Sequence, residues 1–215
     1  MTGTHGDGAA PWVPLGAGVA ELRKASQSCR GCDLWRAATQ TVFGEGPSRA
    51  LMMIVGEQPG DREDRAGEPF VGPAGGVLER ALEVADVSRE EVYLTNAVKH
   101  FRFEERGKRR IHKSPAVGHI VACAPWLDAE VDAVDPVVIV CLGATAARAV
   151  LGRPAAVGQE RGRLQQARGR LALITAHPSA LLRIRATRDR EEAFETLVRE
   201  LRVAAGAARD GQKED

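Results

Sequence analysis

Leu51-Met52-Met53-Ile54-Val55 is a continuous apolar run that stops at Gly56-Glu57. An unbroken run of that length, closed by turn residues, suits a strand buried on both faces, as in a parallel sheet. Similar runs cover Pro136 to Leu142 and Leu171 to Thr175, and Glu91 to Val98 reads as a fourth strand. Between them apolar residues recur at helical spacing. Val77, Leu78, Ala81, Leu82 and Ala85 form one set; Ile120, Cys123, Trp126, Leu127 and Val131 lie in a helix over about 115–134; Phe194, Leu197, Val198 and Leu201 lie in a helix over about 189–205. Residues 18–28 read as a short helix, and the small residues from Gly143 open another. Strands alternating with helices predict an α/β fold, a parallel sheet covered on both faces. Ligands of such sheets bind beyond the carboxyl ends of the strands. Gly56-Glu57, Asn96 and His177 all fall at those ends, which makes them one candidate site.

The length fits a single domain over 18–206, with residues 1–17 expected as a disordered leader and 207–215 as a polar tail. No apolar run is long enough to cross a membrane, and the first residues lack a signal-peptide layout. A cytoplasmic chain is the expectation, and in that reducing compartment four cysteines are not a disulfide framework. Nothing demands a dimer, so a monomer is expected.

A formal net charge of +1 means that any affinity for a polyanion comes from a local patch. Lys99 to Lys113 supplies one, with seven Lys or Arg against two Glu. Inside it, Lys108, Arg109, Arg110 and Lys113 surround His112 in a glycine-opened loop. Such a loop can sit on a phosphate backbone and hold a nucleophile beside the sugar, or can simply be solvated.

Cys29-x-x-Cys32 can put two thiolates on one metal or cluster, with Cys123 and His100 as further ligands. Structural zinc and an iron–sulfur cluster with one imidazole ligand both fit such a set. Cys141, between Val140 and Leu142, reads as a core filler. The segment Gly56-Glu57-Gln58-Pro59-Gly60-Asp61 follows a strand without an immediate helix and lacks the lysine of a P-loop. Gly67 to Gly75 carries Phe70 in a rigid turn-rich loop, where its ring can stack on a flat ligand or plug the loop from below. Asn96 has the donor and acceptor to read a base edge or to cap a turn, and His177 before Pro178-Ser179 can donate to a developing anion.

In this order the motifs resemble the iron–sulfur uracil-DNA glycosylases, from about Cys29 to Leu201. The matching pieces are Cys29-x-x-Cys32, Gly56-Glu57-Gln58-Pro59-Gly60, Pro69-Phe70-Val71-Gly72-Pro73-Ala74-Gly75, Thr95-Asn96-Ala97-Val98-Lys99, Leu142-Gly143 and His177-Pro178-Ser179. The resemblance implies a three-layer α/β/α sandwich around a four-stranded parallel sheet, and a [4Fe-4S] cluster on Cys29, Cys32, His100 and Cys123. The thermostable family-four enzymes have a cysteine where this chain has His100, and a shorter loop to the next cysteine. The extra residues here, Lys108-Arg109-Arg110-Ile111-His112, together with Gln58 after Glu57, resemble the UdgX branch. Its members excise uracil and stay covalently joined to DNA through a loop histidine, which corresponds to His112.

By that resemblance the substrate is uracil-containing DNA, single-stranded or double-stranded, with free uracil as product. Phe70 stacks on the uracil, Asn96 reads its edge, and Gln58 and Asp61 join the substrate site. Glu57 assists His112, and His177 hydrogen-bonds the departing base. Lys108, Arg109, Arg110 and Lys113 contact DNA together with the Ser179 to Arg183 segment. Two other readings stand beside this one: a hydrolytic glycosylase releasing uracil and a free abasic site, which leaves the basic insertion unexplained, and a non-catalytic DNA-damage binding module with structural zinc.

Overall fold

The computed structural model of the protein describes residues 8–212. In chain order the elements are α1 (Val19–Ser26), β1 (Met52–Gly56), α2 (Asp61–Ala66), α3 (Pro73–Ala85), β2 (Val92–Asn96), β3 (Phe103–Arg106), β4 (Arg109–His112), α4 (Val117–Val134), β5 (Val138–Leu142), α5 (Gly143–Leu151), α6 (Val157–Glu160), β6 (Leu164–Ala167), β7 (Arg170–Thr175), α7 (Pro178–Leu181) and α8 (Thr187–Gly211). The four apolar runs are the parallel strands β1, β2, β5 and β7.

Side chains alternate across a strand, so each run feeds two cores. Met53, Val55, Tyr93, Ile139, Cys141 and Ile174 face one way and pack with Leu22 of α1, Trp126 and Leu127 of α4, and Ala146 of α5. Met52, Ile54, Leu94, Val138, Val140 and Leu173 face the other way and pack with Leu78 and Leu82 of α3 and Leu197 and Leu201 of α8. The result is the expected three-layer sandwich.

The sheet has five strands rather than the expected four, in the order β2-β1-β5-β7-β6. The extra strand, β6, pairs antiparallel with β7 at the edge. Leu164-Gln165-Gln166-Ala167 is half-exposed and carries no apolar run, so it left no signal in the sequence. Antiparallel edge strands on parallel sheets are common.

Three more expectations need correction. The helix α2 begins at Asp61, directly after the Gly56–Gly60 turn, where no immediate helix was expected. Residues 8–17 are no loose leader: Ala9 is buried, and its N–H donates to the Ala122 carbonyl of α4 at 2.7 Å. Residues 1–7 lie outside the described part. At the other end α8 continues to Gly211, with Ala208 in the core, through most of the expected tail.

After β2 the chain crosses to the far side of β1, so the strand order reverses around β1 and β5. The register pairs Gly56 with Asn96 and Leu142 with Thr175. The four parallel strands therefore end level, and the residues that follow them leave the sheet together at the switch point. Among the described residues no helix is long and apolar enough to cross a membrane.

Candidate active site

A cavity of about 680 Å³ opens at this end of the sheet, lined by Glu57, Phe70, Asn96, His112, Thr145 and His177 among others. Missing side chains shape its floor. A Cβ on Gly56 would come within 2.3 Å of Asn96 Oδ1 and 2.8 Å of Phe70 Cζ, so bare backbone lets those two groups meet. Phe70 has φ 60°, a left-handed conformation that is strained for an aromatic residue. Its carbonyl occupies the space a Cβ on Gly75 would need, only 1.5 Å away. Glu63 secures the loop, accepting the Gly72 N–H at 2.7 Å and the Gly60 N–H at 3.1 Å.

The basic segment is a hairpin rather than a loop. β3 and β4 pair with Phe103 opposite His112 and Arg106 opposite Arg109, across a turn with Gly107 at φ 60°. A glycine at the first central position suits a two-residue hairpin turn. Gln58 holds the base: its Nε2 donates to the Arg102 and Lys113 carbonyls, each at 3.1 Å, and its Oε1 accepts the Arg102 N–H at 3.1 Å. Gln58 borders the cavity as expected, but its amide is engaged by the hairpin.

Arg110, expected on DNA, instead latches the hairpin to α2. Its Nε donates to Asp61 Oδ1 at 2.5 Å, and its Nη1 to Asp64 Oδ2 at 2.6 Å and Thr39 Oγ1 at 3.1 Å. Asp61 is likewise occupied, by Arg110 and Arg65. Lys113 pairs with Glu104 at 2.8 Å. Lys108 and Arg109 sit exposed at the hairpin tip, while Ser179 and Arg183 border the cavity.

His112 stacks on the buried ring of Phe101, with centroids 6.0 Å apart and planes 20° apart. Its Nε2 lies 3.4 Å from Glu57 Oε1. The other carboxylate oxygen, Oε2, accepts the Thr145 hydroxyl at 2.5 Å. Burial lowers the His112 pKa, the Glu57 charge partly opposes that, and Arg183 adds to the lowering. His177 Nδ1 accepts the Ser179 N–H at 3.1 Å, so a neutral ring carries its proton on Nε2. Burial pushes the His177 pKa down to about 4, which keeps the ring neutral near pH 7. Glu63, Phe101 and Thr145 escaped the sequence reading; a hydroxyl in the first turn of a helix at a strand end was the available sign for Thr145.

Cys29, Cys32 and Cys123 lie near enough to influence one another. Burial pushes the Cys123 thiol up to about 12, and the other two sulfurs add to the effect. Cys29 Sγ accepts the Trp126 indole N–H at 3.2 Å, and Cys123 Sγ accepts the Lys99 N–H at 3.3 Å. Such N–H···S bonds suit thiolate ligands. The buried His100 places Nε2 3.0 Å from Thr41 Oγ1, whose own proton goes to the Ser26 carbonyl at 2.9 Å. Nε2 is therefore the donor, and Nδ1 keeps a free lone pair. Among the described residues no three His, Cys, Asp or Glu side chains converge closely enough to hold a single ion. The donor types fit an iron–sulfur cluster, whose ligands stand further apart than those of one ion. Cys141 is a buried core residue, as expected.

Fold and cavity together define an α/β protein whose switch-point site brings an aromatic ring, an amide and two imidazoles to one cavity. The chain belongs to the uracil-DNA glycosylase superfamily: residues 43–202 match the family described as "Uracil DNA glycosylase superfamily". It is 32% identical over 174 residues to the type-4 uracil-DNA glycosylase of Sulfurisphaera tokodaii, covering 75% of this chain and 74% of that protein. To the type-4 uracil-DNA glycosylase of Thermotoga maritima it is 34% identical over 173 residues, covering 80% and 86%. To that of Pyrobaculum aerophilum it is 36% identical over 173 residues, covering 76% and 84%.

Proposed function

We propose that the protein excises uracil from DNA and captures the resulting sugar covalently through His112, as the UdgX branch does. The observation that carries this reading is the placement of His112: a latched hairpin holds its imidazole at the cavity, 3.4 Å from Glu57. Lys108 and Arg109 at the hairpin tip and Ser179 and Arg183 across the cavity would hold the phosphates. The uracil leaves the base stack to enter the cavity. It stacks on Phe70, and Asn96 reads its edge.

The bond between C1′ and N1 breaks, and its electron pair leaves with the base. The His177 Nε2–H donates to uracil O2, a hydrogen bond that strengthens as charge develops there. C1′ becomes an oxocarbenium-like cation. The His112 nitrogen that does not face Glu57 gives its lone pair to C1′, and the proton on the facing nitrogen passes to the Glu57 carboxylate. The product is a neutral N-alkyl imidazole, a poor leaving group; the uracil anion takes a proton from water and leaves as free uracil. Cys29, Cys32, Cys123 and the Nδ1 of His100 would hold a [4Fe-4S] cluster, which when bound supplies a structural cross-link between the segment after α1 and the body of α4.

The test is a labelled uracil-containing single strand, mixed with protein, boiled in SDS and run on a denaturing gel. A retarded band that disappears with thymine in place of uracil is expected. Alkali-sensitive breakage without that band would mean hydrolysis and a free abasic site. Neither product would mean binding without catalysis.

A further inference from the structure

We propose that Thr145 is a positioning residue that aims Glu57 at His112 and so sets how often the sugar is captured rather than lost to water. This rests on the capture reading above. A carboxylate turns easily about its last bond, and Glu57 has two oxygens with different tasks. Oε2 accepts the only hydroxyl proton Thr145 has, at 2.5 Å, which turns Oε1 toward His112 Nε2 at 3.4 Å. With Oε1 there, the His112 proton belongs on Nε2 and the lone pair on the nitrogen left over for C1′.

The direction of the Thr145 hydroxyl is set by backbone. Threonine has few χ1 choices in a helix, and residue 145 is the third residue of α5. That helix starts at Gly143 with φ 85°, where an added Cβ would stand 3.3 Å from His177 Cβ. One helix start thus serves both imidazoles: Gly143 makes room beside His177, and Thr145 aims the partner of His112.

Thr145→Val keeps the shape and removes the hydroxyl; Thr145→Ala does so without a second methyl, should valine disturb folding; Thr145→Ser restores the hydroxyl. Two readouts apply to the full chain. Nitrogen-15 spectra of the imidazoles report the His112 tautomer, and single-turnover reactions give the ratio of covalent adduct to uracil released. In Val and Ala variants the Nε2–H tautomer loses its dominance and the ratio falls about tenfold, as expected for one lost hydrogen bond. The serine variant returns both toward wild type. Wild-type tautomer and ratio in the Val and Ala variants would overturn the proposal. If the unaltered protein releases uracil without any adduct, the capture reading fails instead, and the tautomer comparison still decides the role of Thr145.

Discussion

The guanidinium of Arg110 rests on the buried carboxylate of Asp64, with Nη1 2.6 Å from Oδ2. A residue that looks in sequence like one more DNA-binding cation is thereby a latch. It joins the hairpin that carries His112 to the helix that follows the Glu57 turn. Removing it strands a fully buried carboxylate.

Arg110→Ala is expected to lose about 3 kcal/mol of stability, the usual cost of breaking a buried pair from one side. In a domain of this size that lowers the melting temperature by roughly 10 °C. Adduct yield should fall with it, because the hairpin loses its hold on α2. Arg110→Lys should not rescue, since one ammonium cannot span two carboxylates as a guanidinium fork does. A thermal melt beside the denaturing gel checks both points.

His112→Ser should give no SDS-resistant band while still releasing uracil. The smaller side chain opens the place of the imidazole to water, so the product becomes a free abasic site. Alkali-labile breaks measured against free uracil would show it. A persistent adduct in this variant would remove His112 from the nucleophile role.

Capture requires a neutral imidazole, so protonation stops it. Burial and Arg183 place the His112 pKa below the ordinary 6.5, with Glu57 pulling the other way. The adduct rate should show a single acid limb whose midpoint lies below pH 6.5. Arg183→Ala, assayed at saturating DNA, removes one lowering influence and should move the acid limb upward. Single-turnover rates from pH 4.5 to 8 decide, and a wild-type limb above 6.5 would contradict the picture.

His177→Ala removes the Nε2–H that, in the proposed reaction, donates to the departing base. By analogy with the loss of one oxyanion donor, glycosidic cleavage should slow about 10²–10³-fold. Affinity for DNA carrying a non-cleavable uracil analogue should change far less. Equal losses in both would mean that His177 serves binding rather than the transition state.

If Cys29, Cys32, Cys123 and His100 hold the proposed cluster, Cys123→Ser should give a paler protein with less iron, and iron chelation should loosen α4 without opening the hairpin, which has its own latch. Iron content, visible absorbance and hydrogen exchange along α4 read this out.

The central strands were legible because burial on both faces leaves an unbroken apolar run, as in Met52–Gly56. The cavity was legible where the strands end, since Glu57, Asn96 and His177 all line it. The hairpin was not, because β4 reads Arg-Arg-Ile-His and is mostly exposed, so no apolar alternation marks it. Nor were the partners of Arg110, which lie 49 and 46 residues away. Composition can say that an arginine is present, but whether it meets a phosphate or a carboxylate depends on long-range folding. Gln58 illustrates the same limit: its position beside Glu57 suggested a ligand contact, while its amide is spent on Arg102 and Lys113.

The hairpin is fastened at its base by Gln58 and, one pair short of the outer turn, by Arg110. Phe103 and His112 pair at the clamped base, and Arg106 and Arg109 pair beside the outer turn. In the proposed reaction, capture by His112 and grip by Lys108 and Arg109 would occupy opposite ends of the same ribbon. Lys108, beside the Gly107 that the turn needs, is consequently an exchangeable handle: a dye or a different charge grafted there would retune affinity or report on docking, while the His112 imidazole stays in register at the other end.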